Sequence, residues 1–196
     1  MAGISRISPE SRQMIYLGTA QAGVKGGKFI TETAGNRLDP DVPSDIVNRT
    51  PPQDGRIASA DNPFAFKLDG PTDEFGNEWK AHSVRSGDAV AFSIGFDSPV
   101  KVRRVTAYIT KQNWNPSQAL TRAQFDLPNP PYRRTFPAAP YHDANERIPV
   151  GVVAESLEFA LNLPRRAAGR HVLLLEIDHP DGTEATYQVI DLNYIG

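Results

Sequence analysis

With 196 residues, 39% of them hydrophobic and 22% charged, and a net charge of only -2, the chain supports one ordinary core and has no bulk electrostatic preference. That balance argues against nucleic acid as a partner, and the pairs Arg103-Arg104, Arg133-Arg134 and Arg165-Arg166 read as solvated surface. The absence of cysteine excludes disulfides, thiolate metal sites and cysteine nucleophiles, which fits a reducing compartment or loops held by packing alone.

The start, Met1-Ala-Gly-Ile-Ser-Arg-Ile-Ser8, lacks the charged-then-apolar pattern of a signal peptide, and no apolar run approaches the ~20 residues that cross a bilayer. From about residue 20 to 63 the pattern is broken by Gly23-Val-Lys-Gly-Gly27, Asp39-Pro-Asp-Val-Pro43 and Thr50-Pro-Pro-Gln-Asp-Gly55, which predicts one long irregular excursion. Loops of that length inside a compact domain usually carry function or are disordered. Val90, Phe92, Ile94 and Phe96 then alternate with Ala91, Ser93 and Gly95, as a strand with one buried face requires. Val102 to Thr110 is a second strand, rich in β-branched and aromatic residues. Helix is expected only as short pieces in the excursion and near Pro116 to Arg122, and the Pro-rich stretch from Leu127 to Tyr141 reads as an irregular connection.

Period two returns at Leu157, Phe159, Leu161 and Leu163. His171 to Ile177 and Thr186 to Ile195 follow as strands, joined by the hairpin signal Asp181-Gly182. Many short strands with plentiful turns predict an all-β sandwich in a single domain, 1–196.

Four islands carry a resemblance. They are Ser8-Pro-Glu-Ser-Arg12, Asp54-Gly-Arg-Ile-Ala-Ser-Ala60, the long run from Ile109 through Trp114 to Leu127, and Gly169-Arg-His-Val-Leu-Leu174 with Tyr187-Gln-Val-Ile-Asp-Leu-Asn193. In type and order they resemble the chitin-binding type 4 family, the bacterial lytic polysaccharide monooxygenases. The resemblance implies a distorted fibronectin- or immunoglobulin-like β-sandwich with a long excursion between its first strands. It also implies a flat face that lies on chitin or another insoluble β-linked polysaccharide.

On that face the resemblance makes Phe29 the exposed aromatic, with Glu32 as an acidic neighbour; the competing role for Phe29 is to pack the excursion onto the sandwich. Asp181, Glu184 and Thr186 fall near the family's polar substrate-facing positions, or else form an ordinary exposed turn. Trp114 reads as corner packing.

Family members hold copper with the terminal amine, the imidazole of that same first histidine, and a second histidine. Counting back from Pro9, the first histidine falls at Gly3 or, with one insertion, Ala2; the second falls at Ser98 or Pro99. No histidine lies between His82 and His142, and the family's axial aromatic corresponds to Thr186. His171 reads as a structural strand residue. His179 reads as a turn residue, or as one partner of carboxylates around a cation. His82 and His142 have no partner at helix or hairpin spacing.

The expectation is therefore a non-catalytic polysaccharide binder with no metal site, no cofactor, and no nucleic-acid or membrane partner. The resemblance implies a secreted or cell-surface protein, against the missing leader. Two alternatives remain open: a copper-dependent monooxygenase whose native chain begins with histidine, and a glycan-binding adhesin or virulence-associated structural protein.

Overall fold

The computed structural model of the protein describes residues 3–29, 51–136, 151–180 and 184–196. Its strands are β1 (Ile4–Ser8), β2 (Lys25–Gly27), β3 (His82–Arg85), β4 (Ala89–Val102) and β5 (Arg104–Ile109), then β6 (Tyr132–Thr135), β7 (Val152–Asn162), β8 (Gly169–Asp178) and β9 (Glu184–Ile195). One sheet has the order β1-β4-β7; the other runs β2-β9-β8-β5-β6, with β3 also on β9. All pairings are antiparallel except β3 with β9. The two sheets form the expected sandwich.

The first core lies between the sheets. In β7, Ala154, Leu157 and Leu161 are buried while Glu155, Ser156, Glu158 and Ala160 are exposed, so period two converts directly into one wet and one dry face. Phe92 and Phe159 are cross-strand partners with rings stacked at 5.1 Å, and Tyr132 of the facing sheet stacks on Phe159 at 4.5 Å.

A second core covers the outer face of β8 and β9. Leu173, Leu175 and Ile177 point into the first core, whereas Val172 and Leu174 join Tyr187 and Val189 under Phe29, Ile57 and Leu68. Burial on both faces is why β8 reads as a nearly continuous apolar run.

The edges of the excursion are tied to this core. The Arg122 guanidinium donates to the Phe29 carbonyl through Nε (3.0 Å) and Nη2 (2.7 Å), and to Asp54 Oδ1 through Nη1 (3.0 Å). The buried Tyr187 hydroxyl donates to the Gly27 carbonyl.

Several local expectations need correction. Helix α1 (Arg12–Leu17) lies before the excursion, where no helix was expected; Ser11 caps it by accepting from the Met14 amide at 3.1 Å. The connection after Leu127 contains β6, paired with β5. Arg103 and Arg104 are buried, because the chain passes there from one sheet to the other and carries both side chains inside. Near Pro116 the only helical piece among the described residues is the 3-10 turn Arg122–Gln124.

Candidate functional site

The start of β1 meets an irregularity in β4 at one end of the sandwich. Pairing of β4 with β7 breaks between Gly95 and Val100, and the residues released there, Asp97, Ser98 and Pro99, are exposed. Asp97 turns back onto Gly3: the Gly3 amide donates to Oδ1 at 2.6 Å, and the Asp97 amide donates to the Gly3 carbonyl at 3.1 Å. A side chain on Gly3 would put its Cβ 2.8 Å from Asp97 Oδ2, so glycine is what lets the carboxylate close. Ser98 Oγ lies 3.3 Å from Asp97 Oδ1.

The neighbouring strands complete this end. Gly23 packs against Gly3, and two residues later Lys25 pairs with Thr186 of β9. His179 Nδ1 lies 2.7 Å from the Lys101 carbonyl, which can only accept, so the proton sits on Nδ1 and Thr186 Oγ1 donates to Nε2 at 2.8 Å. Glu184, half-buried, opens β9 opposite Gly27.

The sequence-based site residues divide as follows. Phe29 is 0% exposed, with its ring 5.1 Å from Tyr108 and 5.7 Å from Phe125, so it is a core anchor and not the exposed aromatic. The physical reason is the second core: an apolar sheet face has to be covered, and Phe29 covers it. Thr186 is 2% exposed and its hydroxyl is taken by His179, so its side chain is not on an outer surface. Glu32, Asp181 and His142 lie outside the described residues. Of the positions reached by counting, Gly3 or Ala2 and Ser98 or Pro99, Gly3 and Ser98 both lie against the Asp97 carboxylate, and Ala2 lies outside the described residues. Nothing in the sequence around Asp97 marks it, because its partner lies 94 positions away.

The remaining described histidines are structural. His171 is buried, shares a hydrogen bond between Nδ1 and Thr110 Oγ1 at 2.9 Å, and is pushed down to about 4 by burial and by the nearby Arg166 charge. His82 Nε2 is bonded to the Glu10 carbonyl at 2.9 Å. Trp114 is half-buried with Nε1 donating to the Arg170 carbonyl at 2.7 Å, consistent with corner packing.

The family model described as lytic polysaccharide mono-oxygenase, cellulose-degrading, matches residues 5–192. The chain belongs to the lytic polysaccharide mono-oxygenase family. A chitin binding domain from Burkholderia pseudomallei is 34% identical, covers 100% of both chains and superposes with a TM-score of 0.81. A lytic polysaccharide monooxygenase from Streptomyces lividans, 21% identical with a TM-score of 0.75 over 99% of this chain and 100% of its own, shares the fold. The GlcNAc-binding protein A of Vibrio vulnificus is 32% identical over 145 residues, 74% of this chain. That match spans only 26% of the relative, about a quarter of its length.

Copper in this family is expected on nitrogen donors in a tetragonal arrangement. Among the described residues, the side-chain donors next to Gly3 are the Asp97 carboxylate and, through it, the Ser98 hydroxyl, and the Gly3 amide donates to Asp97. That donor set does not fit an all-nitrogen copper site. Among the described residues, no three His, Asp or Glu side chains converge in a way that could hold a metal ion.

Proposed function

We propose that this member of the lytic polysaccharide mono-oxygenase family binds chitin or a related insoluble β-linked polysaccharide without cleaving it. The surface used is the end of the sandwich around Gly3, Asp97 and Ser98. Its likeness in sequence and shape to the Burkholderia pseudomallei chitin binding domain, over the full length of both, supports the ligand. The observation that carries the non-catalytic half is the closed Gly3–Asp97 pair. It puts a carboxylate and an amide at the positions where the resemblance would have an amine and imidazoles. Such a polysaccharide lies outside the cell, so the same reading makes the protein an exported one.

Incubation with crystalline chitin, with and without Cu(II) and a reductant, tests both halves. The protein is expected in the pellet, with no copper-dependent release of oxidised oligosaccharides. Protein that stays in the supernatant over chitin and cellulose removes the binding half; oxidised products dependent on copper remove the other.

A further inference from the structure

The end of the sandwich around Gly3 carries a charge that its own fold leaves uncompensated. Asp97 is exposed, and its Oδ1 accepts from the Gly3 amide at 2.6 Å and from the Ser98 hydroxyl at 3.3 Å. Among the described residues no lysine, arginine or histidine forms an ion pair with Asp97. The one lysine on the same strand, Lys101, lies beyond the break in pairing between Gly95 and Val100.

The second carboxylate oxygen, Oδ2, flanks the open side of Gly3. A side-chain carbon built there would lie 2.8 Å from Asp97 Oδ2 and 3.9 Å from the Thr19 carbonyl oxygen. Both atoms accept hydrogen bonds and neither donates. We infer that this notch reads the 2-amino group of glucosamine, so that the end face takes a partly deacetylated chitin in preference to a fully acetylated one. The inference rests on that end being the surface that meets the polysaccharide.

Electrostatics makes the selection. Laying a flat crystal over an exposed carboxylate strips water from it, and a charge that loses water without gaining a cation costs free energy. A fully acetylated chain offers hydroxyl and amide donors, all of them neutral. A deacetylated unit offers an ammonium group, donor-only and positively charged, and a hydrogen bond with an ionised partner is about twice as strong as a neutral one. It supplies the missing charge at Oδ2 and a proton for the Thr19 carbonyl. The acetyl group ends in a carbonyl oxygen and a methyl, for which these two oxygens hold no donor. An acidic sugar or a phosphate is repelled. The carboxylate is already in place, because the Asp97 amide returns a bond to the Gly3 carbonyl at 3.1 Å, and a pre-formed acceptor lowers the ordering cost of binding.

The test uses insoluble chitin particles, fully acetylated or partly deacetylated at their surface, at about pH 5.5, where primary amines are protonated. Binding isotherms at low salt are expected to show about threefold or greater preference of the parent for the deacetylated form, and high salt should erase it. Asp97→Asn keeps an oxygen for the Gly3 amide and removes the charge, so its ratio of affinities for the two forms should fall to about one. Glu78→Gln removes the same charge elsewhere: Glu78 is exposed, and its partner Arg170 pairs with Asn193, at the far end of β9 from Thr186. This control should keep the ratio of the parent, which separates local pairing from bulk attraction between a chain of net charge -2 and a polycation. Equal binding of the two forms, a preference that Asp97→Asn retains, or one that Glu78→Gln also abolishes overturns the inference and leaves the chitin-binding reading in place. Binding to neither form removes that reading, and this inference with it.

Discussion

The Gly3 amide and the Asp97 carboxylate meet at 2.6 Å, and the return bond from the Asp97 amide to the Gly3 carbonyl closes the pair from both sides. A side chain at position 3 puts its Cβ 2.8 Å from Asp97 Oδ2, so Gly3→His requires the exposed carboxylate to swing away and give up its bond to the Gly3 amide. Gly3→His is expected to destabilise by about 1–2 kcal/mol. In an Asp97→Ala background most of that penalty disappears, a coupling that a double-mutant cycle of thermal midpoints measures. Equal penalties in both backgrounds would contradict the collision.

Phe29 is a second-core residue, so Phe29→Ala is expected to cost about 3–5 kcal/mol in urea denaturation. Chitin pull-down at a temperature where the variant remains folded should match the parent. A loss of binding with unchanged stability would instead return Phe29 to the surface role.

Arg12 and Asp191 are 4% exposed each and bonded through two prongs. Removing the Arg12 charge leaves the buried Asp191 with only the longer contact to Arg170 at 3.9 Å, so Arg12→Ala is expected to cost about 3 kcal/mol. The joint replacement Arg12→Met with Asp191→Leu recovers most of it, as equilibrium denaturation of the three variants will show.

His171 sets an acid limit. Burial and Arg166 hold the folded imidazole at about 4, against 6.5 in a free chain. Between those values the unfolded state binds more protons than the folded one, so stability falls as the pH is lowered through 6.5 toward 4. This contribution is fully present above 6.5, and up to about 3 kcal/mol of it is lost across the window. Urea midpoints at pH 7 and pH 4.5 test this, and His171→Gln should flatten that part of the slope.

The sandwich was legible wherever one face is wet. Leu157, Leu161 and Leu163 alternate with exposed neighbours, and the β8–β9 ladder follows from two apolar runs a few residues apart. Four-residue strands such as β3 and β6 gave no signal, since neither offers enough turns of a pattern to count and both are fixed by partners far away in the chain. Helix α1, six residues long, announces itself only through its Ser11 cap. At the candidate site, Phe29 was misassigned because its burial depends on Tyr108 and Phe125, which no local pattern connects to it. Tyr16, Trp79 and Trp114 were equally hard to connect, since they come from three separate segments.

Arg122 holds the carbonyl of Phe29 and the carboxylate of Asp54 in one planar fork, so the mouth of the intervening stretch has a set width. A cassette closed at its base in this way can change its contents cheaply; doubling its length would cost only about 0.6 kcal/mol in closure entropy. Evolution or a protein engineer could rewrite those residues while the sheets keep their register.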